Sequence, residues 1–273
     1  MKLEYPDKVI TEIVQFLQKK FEQTGKKNGV IAVSGGIDSA LSTTLLVKAL
    51  GAQHVYPIML PYKNQSTVDS ELICTWNKIP RKNWRVVNIE GFVMAAEKVL
   101  PGVEKDKMRL GNLMARSRML VVFDRAKEFD ALVCGTENKS EKYLGYFTRF
   151  GDEASDLEPI ISLYKTQVRQ LVELLEMPKA FLEKAPSAEL WEEQTDETEL
   201  GFSYAEADAV FQILIEKQMG KLYVQLIEGD RTAAVAKEIH EQLPDIALKQ
   251  ITAILQQVQR QQFKHEVPYT FDM

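Results

Sequence analysis

Cysteine is nearly absent: Cys74 and Cys134 are the only two in 273 residues. Two are too few for a disulfide framework, and with no C-x-x-C spacing they suggest neither a zinc nor a redox site. Both are read as small core residues. Histidine is almost as scarce, with His54, His240 and His265 the full set, so a histidine-based mechanism is poorly provisioned. Long apolar runs are also missing. Met119–Phe123 and Ala209–Ile215, the latter broken by Gln212, fall far short of the roughly 20 residues a membrane span needs. The N-terminal MKLEYPDK lacks a signal-peptide core. The expectation is a soluble, cytoplasmic protein with no membrane partner. No excess of positive charge exists either, because 34 basic against 39 acidic residues leave a net charge of −5. Such a chain has no global field for nucleic acid, and none is expected as a partner. Any phosphate must be held locally, since the short clusters Lys19–Lys20, Lys26–Lys27 and Arg81–Lys82 are read as solvated surface. Repeats, low-complexity tracts and an obvious linker are missing too, so residues 1–273 are read as one domain.

What is present is an ordinary globular mixture, 45% hydrophobic and 27% charged, with enough apolar side chains for a sizeable core. Ile10, Ile13, Val14, Leu17 and Phe21 recur at helical spacing and predict an amphipathic helix over Val9–Phe21. The β-branched run Val30–Val33 reads as a strand buried on both faces. A helix over Ser39–Leu50 ends at Gly51 and hands over to a strand over Val55–Leu60, with Pro57 an awkward member. Further elements are a helix over Thr67–Lys78, a strand over Arg85–Ile89, a long helix over Asn112–Phe129 and a strand over Ala131–Gly135. Alternation of this kind implies an α/β fold: a doubly wound, mostly parallel sheet with helices on both faces and ligands at the carboxyl ends of the strands. From Thr136 to Pro159 the chain is polar, aromatic and without clear periodicity, which suggests a functional loop. Helices resume at Lys165–Leu175, Tyr204–Lys217, Arg231–Gln242 and Ile246–Phe263, with an acidic loop over Ala185–Leu200.

The strongest local signal is Ser34-Gly35-Gly36-Ile37-Asp38-Ser39, between the first strand and its helix. Adjacent glycines let the backbone turn and approach a ligand, and the amides of the following helix start lie at the positive end of its dipole. This is a cradle for phosphate, with Ser34 and Ser39 adding hydroxyls. Asp38 suits an anion only if a divalent cation bridges the two, so the loop predicts magnesium as well as nucleotide. A tight turn whose glycines serve geometry and whose Asp38 caps the helix is the competing reading. In either case Asp38 is read as an exposed loop carboxylate. The string is neither G-x-x-x-x-G-K-[ST] nor G-x-G-x-x-G.

This string resembles the pyrophosphate loop of the ATP pyrophosphatases, which adenylate a substrate and release pyrophosphate. Downstream, Gly135-Thr136-Glu137-Asn138-Lys139-Ser140-Glu141, Gly145 to Asp152, Asp156, Leu163-Tyr164-Lys165, Lys184 to Ala188, Thr195-Asp196-Glu197 and Leu200 to Tyr204 resemble the NAD synthetase family in order and spacing. So does Gly111-Asn112 with Ala115, Arg116, Arg118 and Met119. The likeness runs from about residue 28 to 268 and implies an adenine nucleotide alpha hydrolase-like fold with added C-terminal helices. Ala32, Val33, Ser34, Gly35, Gly36, Ile37, Asp38, Ser39, Thr136, Lys165 and Ser187 would bind ATP. Arg116, Arg149, Asp156 and Lys264 would bind nicotinic acid adenine dinucleotide (deamido-NAD), and Asp38 and Glu141 would hold Mg2+. Without the likeness, Glu141 also reads as a solvated helix face, Lys165 as solvent-exposed and Ser187 as a cap. Tyr146, Phe147 and Phe150 suit either stacking or core.

The implied reaction amidates deamido-NAD with ammonia through an acyl adenylate, with Asp38 and Lys165 as catalytic groups and AMP and pyrophosphate as products. Only 33 residues precede the loop, leaving no room there for the amidohydrolase domain of glutamine-dependent relatives. A homodimer is implied too, with Asn112–Phe129 and Tyr204–Lys217 either interface or core. Three places depart from the pattern: Arg149 stands for a common lysine, Glu153-Ala154 replaces a frequent Gly-Gly, and Phe263 precedes Lys264 where histidine is frequent. The alternatives are a GMP synthetase-like enzyme, an RNA thiolase, or a nucleotide-binding protein without chemistry.

Overall fold

The computed structural model describes residues 2–187, 195–217, 220–229 and 231–265. Helix α1 (Pro6–Thr24) has proline in its first turn and ends at Gly25 with φ 68°, the usual asymmetry of helix start and stop. It buries Ile13, Leu17 and Phe21, which are the stripe seen in the sequence. Strand β1 (Asn28–Ala32) leads into α2 (Ile37–Leu50), β2 (Val55–Met59), α3 (Val68–Trp76), β3 (Arg85–Val86), α4 (Glu90–Val99), α5 (Lys107–Glu128) and β4 (Ala131–Cys134). The four strands form one parallel sheet in the order β3-β2-β1-β4.

Period-2 alternation divides each strand between two layers. Val30, Ile58 and Val133 pack with α4 and α5 on one face, while Ile31, Met59 and Cys134 pack with α1, α2, α3 and α7 (Lys165–Leu174) on the other. Both cysteines are buried and free. Pro57 is tolerated for a local reason. The Ile58 carbonyl accepts from Val33 on the β1 side, so Pro57, one residue back, turns its nitrogen toward β3. Pairing with β3 begins only at Ile58↔Arg85, and no ladder bond is lost there.

Several boundaries differ from the expectations. The third strand is two residues long rather than Arg85–Ile89; beyond it only Val87 and Ile89 still donate, to the Met59 and Pro61 carbonyls. The long helix starts at Lys107, because Asp106 accepts from the Met108 and Arg109 amides, both at 3.0 Å. Helix α4, unassigned from sequence, fully buries only Val93, so its periodicity is faint. The stretch read as irregular contains α6 (Lys139–Leu144). After α7 come α8 (Ala180–Glu183), α9 (Asp196–Leu200) inside the acidic loop, α10 (Tyr204–Phe211) with a π-helical continuation over Gln212–Lys217, α11 (Lys221–Gly229), α12 (Thr232–Gln242) and α13 (Leu248–Gln261). Together α6 and α10 to α13 enclose a second apolar core around Phe211, Ile239 and Ile254. Ala188, with the neighbouring part of the acidic loop, lies outside the described residues.

The chain moves outward from β1 to β3 and then returns to the other side of β1 for β4. In open parallel sheets, ligands bind outside the carboxyl ends of the strands where the order reverses. Here that point lies between β1 and β4. The loops leaving these two strands are Val33–Gly36 and Gly135–Asn138.

Candidate active site

A cavity of about 640 Å³ opens at this point, within the roughly 300–1,000 Å³ of small-molecule sites. Its wall includes the β1 loop, Thr136, Glu141, Lys165 and Ser187, together with Arg116, Arg149 and Lys264. Sequence positions separated by more than two hundred residues thus converge on one concave surface.

The β1 loop is ordered by its own side chains. Ser34 Oγ accepts from the Gly36 amide at 3.2 Å and donates to Ser39 Oγ at 3.2 Å, and Ser39 Oγ donates to the Gly36 carbonyl at 3.0 Å. Gly35 has φ +84°, and a Cβ there would lie 2.6 Å from Asp69 Cβ, so both conformation and space require glycine. Asp69 in turn pairs with Lys184 at 2.8 Å.

Asp38 is not an exposed loop carboxylate as expected from sequence. It stands in the first turn of α2 with its side chain only 16% exposed, and accepts from Lys165 Nζ at 2.5 Å and from Asn138 Nδ2 at 2.9 Å. Lys165 Nζ also donates to Glu141 Oε1 at 2.9 Å. One buried ammonium therefore serves two carboxylates. Burial works against the charged lysine, but Asp38 and Glu141 outweigh it and hold its pKa above the ordinary range. Burial pushes the Glu141 carboxyl up to about 8, against the pull of Lys165.

Asn138 was missed as a site residue, although the sequence carried its signal. Its side chain accepts from the Glu141 amide at 3.0 Å, and Glu141 reaches back to the Asn138 amide at 3.4 Å. That is a capping box, readable as N-x-x-E, and it fixes Glu141 to the same residue that holds Asp38. Asp196 was missed as well: it is 4% exposed, lines the cavity and accepts from the Tyr204 hydroxyl at 3.0 Å.

The dinucleotide candidates divide. Arg116 Nε donates to the Arg149 carbonyl at 3.2 Å, and Arg149 places its guanidinium 5.1 Å from the Phe263 ring and 6.0 Å from that of Phe150. Two of the departures from the family pattern, Arg149 and Phe263, thus meet in one cation–π contact. Lys264 Nζ donates to the Gly145 and Phe147 carbonyls at 2.5 and 2.7 Å, tying the aromatic loop to the C-terminal helices; burial lowers its pKa. Asp156 is not brought to the cavity wall. Its Oδ2 accepts from the Val133 amide at 2.7 Å, extending the β4 edge. Tyr146 and Phe147 line the cavity, whereas Phe150 is 55% exposed.

Asp38 and Glu141 suit magnesium by their chemistry, as two hard oxygen donors sharing one cationic position. Among the described residues no three acidic, histidine or cysteine groups form a metal cage. The fit is therefore to an ion that takes its remaining ligands from phosphate and water, as magnesium commonly does.

The model of the family described as NAD synthase matches residues 9–268. An NH(3)-dependent NAD(+) synthetase from Thermococcus kodakarensis is 42% identical over 213 residues, 78% of this chain and 82% of that protein. Among solved structures, an NMN synthetase from Francisella tularensis aligns with TM-score 0.75 and 28% identity over 98% of this chain and 99% of the other. An NH3-dependent NAD synthetase from Campylobacter jejuni aligns with TM-score 0.74 and 25% identity over 98% and 99%. The parallel sheet, the loop at its point of reversal and the family match over nearly the whole length lead to one conclusion: the chain belongs to the NAD synthase family.

Proposed function

We infer that the protein amidates deamido-NAD with ammonia at the expense of ATP, forming NAD, AMP and pyrophosphate. The observation that carries this reading is the convergence of Asp38, Glu141 and Lys165 beside the Ser34–Ser39 loop. In the first step a nicotinate carboxylate oxygen bonds to the α-phosphorus of ATP, the bond from that phosphorus to the β-phosphate bridging oxygen breaks, and pyrophosphate leaves with the electron pair. In the second, ammonia bonds to the acyl carbon, AMP leaves, and the nitrogen loses its extra proton.

Charge neutralisation and orientation carry the first step, so no covalent nucleophile is required. The amides of Gly35 and of Ile37 to Ser39 would face the triphosphate, the Gly36 amide being taken by Ser34 Oγ, and Ser39 with Thr136 would offer hydroxyls to it. Asp38 and Glu141 would hold magnesium, which would supply charge compensation to the departing pyrophosphate. Lys165 keeps a permanent positive charge against the same group. Arg116 and Arg149 would present guanidinium groups for the dinucleotide phosphates, with the Phe263 ring 5.1 Å from that of Arg149. Ala32 at the end of β1, Val33 after it and Ser187 line the same cavity and would border the nucleotide. Asp156, whose Oδ2 accepts from the Val133 amide, would steady the end of β4 beside the site.

A homodimer fits the apolar side chains exposed on α4 and α5, among them Val99 at 73% and Leu120 at 56%; Tyr204–Lys217, by contrast, is core. Among the described residues no helix is long and apolar enough to cross a membrane, and a cytoplasmic location accords with ATP as co-substrate. A second reading, amidation of the mononucleotide acid to NMN, is favoured by the name of the Francisella neighbour.

The test offers purified protein ATP, magnesium and either acid, with ammonium or glutamine as donor. The expected result is NAD formation from the dinucleotide acid, with ammonium far better than glutamine. Preference for the mononucleotide acid would select the second reading, and equal turnover with glutamine would remove ammonia as the donor.

A further inference from the structure

Asp208 lies on α10, is fully buried at 0% exposure and does not line the cavity. Its Oδ2 accepts from the Thr166 amide at 2.9 Å and from the Thr166 hydroxyl at 2.8 Å. Its Oδ1 accepts from the Ser140 hydroxyl, and that same hydroxyl accepts from the Lys165 amide at 2.9 Å. Burial holds the Asp208 carboxyl above its ordinary range, against the lowering by the Ser140 and Thr166 donors.

These partners are the first residues of two functional helices. Lys165 and Thr166 open α7, and Ser140 is the second residue of α6, directly before Glu141. The first amides of a helix have no intrahelical acceptor. They are commonly served by a short Ser, Asp or Asn side chain at the N-cap, which Tyr164 is not. Asp208 supplies the missing acceptor from a third helix, and its negative charge complements the dipole of α7. One carboxylate thereby grips α7 at the residue beside Lys165 and α6 at the residue beside Glu141.

We propose that Asp208 is a positioning residue for the adenylation step: it sets α6 against α7 so that Glu141 and Lys165 meet at 2.9 Å in the orientation the reaction uses. It acts only through Ser140, Lys165 and Thr166 and touches no substrate. The inference rests on the reading of Lys165 and Glu141 as groups of the reacting site. Displacements near 1 Å can cost about a hundredfold in rate, so a loosened clamp shows in kcat rather than in dinucleotide binding, whose candidate residues lie on other elements.

Asp208→Asn keeps the size and one acceptor for Thr166 but puts an amide where Ser140 needs an oxygen. In the full chain, with ATP, magnesium, deamido-NAD and ammonium, we expect kcat to fall about tenfold or more while KM for deamido-NAD stays within about threefold. Thr166→Ser alone, which keeps both donors, retains wild-type kcat, whereas Thr166→Val and Ser140→Ala fall between wild type and Asp208→Asn. Mn2+ titration followed by electron paramagnetic resonance, in the presence of ATP, should show weaker ion binding in Asp208→Asn. If that variant does not fold, Thr166→Val and Ser140→Ala carry the same comparison. A lowered melting temperature with kcat within twofold of wild type and unchanged Mn2+ binding would overturn the proposal. Lys165→Met and Glu141→Gln separate the two levels: full turnover in both removes the reading of the site itself, while their inactivity beside an active Asp208→Asn removes only the role of Asp208.

Discussion

Replacing Lys165 by methionine removes an ammonium and little else. In the structure that group is the shared cation of Asp38 and Glu141, at 2.5 and 2.9 Å, on a side chain 3% exposed. The variant leaves two carboxylates, 16% and 17% exposed, facing each other without a counter-charge. Removing one partner of a buried pair costs about 3–5 kcal/mol. At about 2–4 °C per kcal/mol for a chain near this size, the thermal midpoint should drop by on the order of 10 °C near neutral pH. The penalty depends on pH with a definite sign. Burial already holds the Glu141 carboxyl up at about 8, against an ordinary 4.5, and loss of Lys165 raises it further. A folded-state pKa raised in this way contributes stability below the unfolded value and loses it as pH climbs through the folded value. The deficit of Lys165→Met relative to wild type should therefore be largest near about pH 9 and shrink toward about pH 6, where Glu141 takes up a proton. Glu141→Gln added to Lys165→Met should recover several degrees at the alkaline end. Thermal scans of the three proteins across this range are the assay. A midpoint within about 2 °C of wild type, or a deficit that does not change with pH, would show that the three groups do not share charge as described.

Glu141→Gln alone should raise the magnesium concentration needed for half-maximal turnover; an unchanged titration assigns Glu141 no part in holding the ion. Gly35→Ala forces a side chain into φ +84° and against Asp69, which should cost about 1–2 kcal/mol and raise KM for ATP, and a wild-type KM would separate the loop from nucleotide binding. Glu137 is pushed up to about 9 by burial, then by Glu158 and Glu141, so folding loses its contribution as pH rises from its ordinary range through that value. Glu137→Gln cannot ionise and should melt above wild type at about pH 9 while matching it near about pH 5; parallel curves would contradict the assignment.

The first strand and its loop were legible because a short β-branched run ending in Ser-Gly-Gly has one economical interpretation in an α/β chain. Helix α6 was not, because six residues are too few for periodicity, although its Asn138–Glu141 box stood in the sequence. Convergence was the harder part. Lys165 lies 127 residues from Asp38, and no local pattern announces that a lysine after a proline-containing loop is buried between two acids. The same separation hid the burial of Asp38, whose surroundings come from α6 and α7. For Asp156 the residue type was legible but not its local partner: after β4 its Oδ2 accepts from the Val133 amide. Asp208 is a single acid on an otherwise apolar helix face, with partners 68 and 42 residues away.

Isotope transfer reaches the core of the account more directly than any substitution. Deamido-NAD labelled with 18O in its nicotinate carboxylate is turned over with unlabelled ATP, magnesium and ammonium, and the AMP is examined by mass spectrometry. Attack of that carboxylate on the α-phosphorus predicts one labelled oxygen in each AMP, with pyrophosphate equal to NAD formed. Unlabelled AMP, or ADP and phosphate as the products, would contradict adenylation at this site.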